Sequence, residues 1–110
     1  MKAVHFLALA IAAGALVPAA FTAKASEARS GQDIYFDKCV YCHDSRGWGT
    51  RVLARRTPPG EAELTKRKDL PAAYTKIVVR RGLNAMPQFT PTDLSDDEVA
   101  AVARWLDEQN

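Results

Sequence analysis

Cys39-Val40-Tyr41-Cys42-His43 is the stretch that decides how the rest of this chain reads. It contains the only two cysteines among 110 residues. Thiols at this C-x-x-C spacing, followed at once by an imidazole, suit a haem: each thiol adds across a vinyl group to give a thioether, and the next side chain lies under the iron. The stretch is therefore expected to hold one haem c covalently through Cys39 and Cys42, with His43 as an axial iron ligand. A thioredoxin-like dithiol would sit after a strand, and no strand pattern precedes Cys39. A structural zinc site wants four ligands, and the other histidine, His5, lies in a segment that reads as a leader. The pattern alone leaves a chance match or an ordinary disulfide open.

Working outward to the N-terminus, Lys2 supplies a positive start and Ala3 to Val17 is almost continuously apolar. Pro18 breaks the run, and Ala23-Lys24-Ala25 has the small-x-small form of a cleavage site. A bilayer span needs about 20 apolar residues, so a signal peptide is favoured over an uncleaved anchor. Residues 1–25 are expected to be removed in export to the periplasm, leaving 26–110 as one small domain. Haem of this type is attached outside the cytoplasm, so the leader and the motif agree. Loss of Lys2 and Lys24 takes 15 basic residues to 13, against 13 acidic ones, so the net charge of +2 belongs to the leader. A domain this small buries a limited share of its surface and needs a staple, which a covalently held apolar plate would provide.

Ser30 to Cys39 reads as a short helix, with Ser30 as N-cap and Asp33 three residues on. Gly31 shares a face with Ile34 and Tyr35, which makes sense if another helix must approach closely there. Together, Gly31-x-x-Ile34-Tyr35-x-x-x-Cys39-x-x-Cys42-His43 resembles the N-terminal signature of class I cytochromes c. The resemblance implies an all-α fold, three main helices around one covalently bound haem. It also implies that Gly31 and Tyr35 pack against the last helix, where Val102, Trp105 and Leu106 are the candidates.

Asp44 to Asp69 carries fewer signals. Gly47-Trp48-Gly49 and Thr57-Pro58-Pro59-Gly60 mark loops. Many class I members follow the haem motif with a Gly-Pro pair whose carbonyl orients the proximal histidine. Here Gly49-Thr50-Arg51 stands in that place, and one of its carbonyls is expected to accept from the His43 ring. Between Arg46 and Arg81 ten basic residues face three acidic ones. One or two of Arg51, Arg55 and Arg56 would suit haem propionates, and the rest an acidic partner. Export argues against nucleic acid as that partner.

Leu70 to Arg81 predicts a helix with Leu70, Tyr74, Ile77 and Val78 as its apolar stripe. Asp69 is its expected cap, Gly82 its C-terminal stop, and Arg80 and Arg81 complement its dipole. The following Gly82-Leu83-Asn84-Ala85-Met86-Pro87-Gln88-Phe89 resembles the loop that presents the second axial ligand in bacterial class I cytochromes c. Met86 is the one methionine outside the leader, and its thioether is a soft ligand for iron. A methionine filling a core gap is the alternative. Asp93 to Gln109 predicts the last helix, capped by Ser95 with Glu98 and lined inside by Val99, Val102, Trp105 and Leu106.

These features imply a periplasmic electron carrier and not an enzyme, a monohaem class I cytochrome c with His43 and Met86 as axial ligands. Its partners would be redox proteins: a flavoprotein or quinoprotein dehydrogenase as donor, a terminal oxidase or another cytochrome as acceptor. Membrane contact would come only through an uncleaved leader. An alternative is a dedicated subunit of a dehydrogenase. Leu70-Pro71-Ala72-Ala73-Tyr74 and Arg81 to Pro87 resemble the cytochrome subunits of 4-cresol dehydrogenase-type flavocytochromes, with Arg55 to Lys68 as an insertion. A haem enzyme or ligand sensor with an open sixth position is a further alternative.

Overall fold

The computed structural model describes residues 27–109. The expected leader, with its cleavage site and His5, lies outside the described residues. Five α-helices follow in order: α1 (Gly31–Lys38), α2 (Val40–His43), α3 (Trp48–Leu53), α4 (Ala72–Arg81) and α5 (Asp96–Asp107). A single 3-10 turn, Leu64–Lys66, interrupts the long connection between α3 and α4. There is no strand among the described residues, only an isolated bridge between Leu83 and Met86. The all-α expectation holds, with α1, α4 and α5 as the longer helices.

α1 starts where the sequence places it. The Ser30 side chain accepts from the Asp33 N–H, satisfying one of the unpaired amides of the first turn. α5 starts with a full capping box: Ser95 accepts from the Glu98 amide while the Glu98 carboxylate accepts from the Ser95 amide at 2.9 Å. The helix begins at Asp96, three residues later than the sequence reading. Asp93 belongs instead to the turn before it, where its carboxylate accepts from the amide and hydroxyl of Thr90. Hydrogen bonds from the Ser95 amide hold the Glu98 carboxyl below its ordinary range, and those from Thr90, hydroxyl first, do the same for Asp93.

α5 is the central element, packed against both α1 and α4. Ile34, Tyr35, Leu70, Val79, Leu94, Val99, Val102 and Leu106 form the buried cluster. At the α1–α5 crossing a Cβ on Gly31 would lie 2.3 Å from the Ala101 carbonyl oxygen and 2.6 Å from Trp105 Cβ, so only glycine fits. Close packing at Gly31 was expected; the backbone it meets is that of Ala101, one turn before Trp105. Trp105 is half-buried, its ring 5.1 Å from that of Tyr35 and 6.5 Å from that of Phe36.

Three sequence expectations fail here. Gly47-Trp48-Gly49 is not a loop throughout: Gly47 is the extended residue before α3, and Trp48 and Gly49 are its first turn. Asp69 does not cap α4. It pairs with Arg67 at 2.8 Å, while Asp107, from the far end of α5, accepts from the Ala72 amide at 3.2 Å. The buried face of α4 is Thr75 and Val79, continuing from Leu70; Tyr74 and Ile77 remain 45% and 52% exposed. Leu70 precedes Pro71 and lies outside the helix, so its burial does not set the inner face of α4, which is one residue round from the apolar stripe.

Alanine normally stabilises a helix interior by about 1 kcal/mol over glycine. At Gly31 the sign should reverse, with Gly31→Ala costing about 2 kcal/mol because the carbonyl of Ala101 has to move. Denaturant unfolding of the intact protein measures this, and a stabilised variant would refute the close crossing. The Glu98 carboxyl supplies a pH test. Its folded value is depressed, so its contribution is fully present above the unfolded value and is lost as pH falls through the folded one. Ser95→Ala should lower stability by about 1 kcal/mol at neutral pH. Glu98→Gln, which removes the titrating carboxyl, should flatten the loss of stability between the ordinary Glu range and lower pH, read from melting temperature against pH.

Candidate haem-binding site

Cys39 ends α1, its amide donating to the Tyr35 carbonyl at 2.9 Å, and at once begins α2, its carbonyl accepting from the His43 amide at 3.1 Å. This helical continuation places two free thiols and an imidazole within one short stretch. Cys39 is half-buried against the core cluster and Cys42 is exposed. Burial, with the charge of Asp37 and then Cys42 adding to it, pushes the Cys39 thiol up to about 11. Such a thiol stays protonated near neutral pH and is a poor spontaneous nucleophile.

His43 is held by its surroundings rather than by hydrogen bonds to its ring. The Tyr35 hydroxyl donates to the His43 carbonyl at 3.1 Å, tying α2 to the α1–α5 core. Burial, led by contact with the core, raises the Tyr35 phenol to about 12, so this donor keeps its proton across the working range. Gly49 lies against the imidazole: a Cβ there would come within 3.0 Å of His43 Cε1 and 2.8 Å of the Cys42 carbonyl oxygen. Gly47 is pressed still closer to that carbonyl, at 2.3 Å for the same virtual atom. The two glycines let the chain fold back over the motif. Burial lowers the His43 pKa, which keeps the ring neutral with a lone pair free.

The expected carbonyl partner for the His43 ring is missing among the described residues: Nδ1 is buried with no hydrogen-bond partner. The reason is α3. Because the stretch is helical, Gly47 O accepts from Arg51 N and Thr50 O from Ala54 N, so these carbonyls are committed along the helix axis. Thr50 Oγ1 is also buried and unpartnered. With Ser45, Arg51 and Glu63 it lines an open depression of about 240 Å³.

Met86 lies in the strap between α4 and α5, half-buried and packed on the core cluster. Its amide donates to Leu83 O at 3.0 Å and Leu83 N donates to Met86 O at 3.2 Å, closing a tight turn over Asn84 and Ala85. Asn84 has φ +54°, a conformation asparagine tolerates better than most residues. Gly82, at φ +70°, ends α4, and a Cβ there would meet Met86 O at 2.8 Å. Glycine is thus required both for the backbone turn and for the strap to close on it. Tyr74 and Ile77 on α4, Leu83 in the strap and Trp48 at the start of α3 leave much apolar surface exposed.

This structure fits the group suggested by the motif. An imidazole and two free thiols in one short turn, a glycine cradle and uncovered apolar side chains suit a large flat apolar cofactor held covalently. Sequence reasoning missed Arg80, whose guanidinium reaches across the base of the Met86 strap. The sequence had marked it for the helix dipole and for the basic surface between Arg46 and Arg81. No metal cluster of histidine, cysteine or carboxylate side chains occurs among the described residues. No helix among them is long and apolar enough to cross a membrane.

Residues 26–106 match the family described as cytochrome C oxidase, cbb3-type, subunit III. The chain is also 30% identical over 93 residues to the 4-cresol dehydrogenase [hydroxylating] cytochrome c subunit of Pseudomonas putida, covering 84% of this chain and 72% of that one. No solved structure matches. A match spanning almost all the described residues, on a helical fold built around a C-x-x-C-H turn, means that the chain belongs to the cytochrome c family, whose members bind haem covalently and transfer electrons.

Proposed function

We propose that residues 26–110 form an exported, periplasmic monohaem electron carrier, with residues 1–25 removed as a signal peptide. Cys39 and Cys42 would hold one haem by thioethers, and His43 and Met86 would be its axial ligands. The observation that carries this reading is His43, half-buried with its Nδ1 enclosed, directly after two free thiols in one short helical turn. When bound, haem c supplies the one-electron couple of its iron, and no substrate bond is made or broken. Tyr35 fixes the backbone of His43, Gly49 keeps its ring in place, and the Leu83–Met86 turn offers the thioether. Trp48, Tyr74, Ile77 and Leu83 supply apolar surface that excludes water and favours the less charged state. Arg51, beside the buried Thr50 hydroxyl, is the arginine best supported as a propionate partner.

The donor is proposed to be a dehydrogenase, with the electron passed on towards a respiratory chain. Similarity to a dehydrogenase cytochrome c subunit favours, as a second reading, permanent association with a flavin- or quinone-dependent enzyme. Charge separates the two. Of the ten cations between Arg46 and Arg81, Lys66, Arg67 and Arg80 pair with Glu63, Asp69 and Asp96. Arg46, Arg55 and Arg56, beside α3, are exposed and make no ion pair among the described residues, which suits docking to an acidic partner surface.

Haem should resist extraction by acid acetone, and the mass of the purified protein should equal residues 26–110 plus one haem. Extractable haem would overturn attachment through Cys39 and Cys42. Met86→Ala should abolish the far-red sulfur-to-iron band of the oxidised protein and admit cyanide. It should lower the potential by on the order of 0.1 V, within the roughly 0.8 V that axial ligands span. An unchanged spectrum would return Met86 to a packing role. For a transient carrier, the rate of reduction by its partner should fall steeply with rising salt. A rate indifferent to salt, with co-elution in gel filtration, would instead establish the bound-subunit reading.

A further inference from the structure

Arg80 ties together three parts of the chain that meet behind Met86. Its Nη1 donates to the carbonyls of Phe89 at 3.0 Å and Leu94 at 2.9 Å, and its Nη2 donates to the Asp96 carboxylate. The first two are charge-assisted bonds to neutral backbone acceptors on a half-buried side chain; the third faces a carboxylate side chain that is 89% exposed, where solvent screens it. The strap therefore leaves α4 at Gly82, whose amide donates to Val78 O at 2.8 Å. It is pinned again at Phe89, by Phe89 N to Val79 O at 2.8 Å and by Arg80, and a third time at Leu94. Between Gly82 and Phe89 the backbone hydrogen bonds are the local ones of the Leu83–Met86 turn. That turn shapes the strap without fixing where it stands relative to α4. The strap's backbone is held at the two ends, with Met86 packed on the core cluster between them, and Arg80 is the side chain that ties down the far end.

We propose that Arg80 is the positioning residue for Met86: by clamping Phe89 and Leu94 it sets how readily the thioether gives way to a competing ligand at the sixth coordination position. This rests on the reading of Met86 as axial ligand given above. Both carbonyls accept from one nitrogen, Nη1, while Nη2 is left for Asp96, so a lysine ammonium on its shorter stem should restore the effect in part.

The test uses the oxidised holoprotein and cyanide as the competing ligand, with Arg80→Gln, Arg80→Lys, Asp96→Asn and, as a control on an ion pair away from the strap, Arg67→Gln. The far-red sulfur-to-iron band, the cyanide binding constant and the denaturant midpoint are measured for each. Arg80→Gln should retain covalent haem and bind cyanide about tenfold more tightly than wild type, from loss of two charge-assisted hydrogen bonds. Arg80→Lys should fall between, and Asp96→Asn and Arg67→Gln should stay within about twofold of wild type. Cyanide affinity in Arg80→Gln within about twofold of wild type overturns the role, as does an equal rise in Arg67→Gln, which would mean general loosening. Should Arg80→Gln fail to accumulate, Arg80→Lys decides by the same comparison. A wild-type protein lacking the sulfur-to-iron band overturns Met86 ligation itself, whereas a normal wild-type band with unresponsive Arg80 variants overturns only the clamp.

Discussion

The placement of the candidate ligand His43 begins at one close contact, the crossing of α1 over α5 at Gly31. Because residue 31 has no side chain, the Ala101 carbonyl occupies the space where a Cβ would stand. That approach lays Ile34 and Tyr35 on Val102 and Leu106 and completes the buried cluster. Tyr35 then uses its other end: its hydroxyl donates to the His43 carbonyl, so the turn after the two cysteines is keyed to a crossing made by the two ends of the described chain. A domain of this size has little apolar area to spend on independent subsites. One core residue serving packing and ligand placement at once is the economical result.

The two sides of the proposed iron site are restrained in different ways. On the His43 side the constraint is local. Cys39 joins α1 to α2 through successive helical hydrogen bonds, and Gly47 and Gly49 fold the chain back onto the same turn. On the Met86 side the constraint is long-range. A tight turn gives the strap its shape, but its placement depends on α4 and on the start of α5, joined through Arg80. Local structure of the first kind forms with the helix, while a tethered strap opens without unfolding the core. The difference suits a site whose proximal ligand stays fixed and whose distal ligand is set by tuning.

Charge is divided in the same manner. The cations of the connection between α3 and α4 are partly neutralised internally, Lys66 by Glu63 and Arg67 by Asp69, whereas those on and just after α3 are left to solvent. α5 carries its carboxylates mainly at its two ends. Asp96, Asp97 and Glu98 stand at its N-terminus, where they complement the dipole, and Asp107 caps α4 from the other end. Asp96, Glu98 and Asp107 thus have structural partners, and the exposed arginines are charges available to a docking protein.

Much of this was legible in the sequence because it depends on neighbours along the chain. Ser30 with Asp33 and Ser95 with Glu98 set the starts of α1 and α5, and the C-x-x-C-H spacing marked Cys39, Cys42 and His43. Gly31 could be read as a contact point since it shares a helical face with Ile34 and Tyr35. Tertiary structure alone decided the rest. Periodicity cannot tell which face of α4 meets the core, so Thr75 and Val79 are inside while Tyr74 and Ile77 stand out. Gly47-Trp48-Gly49 looked like a turn, yet close packing on Cys42 and His43 favours the glycines as a cap and first turn of α3, which removes the carbonyl expected for the His43 ring. Asp107 capping α4, and Arg80 reaching Phe89, Leu94 and Asp96, join residues 9 to 35 positions apart. Local propensity acts over a few residues, and such partners exist only once the helices have packed.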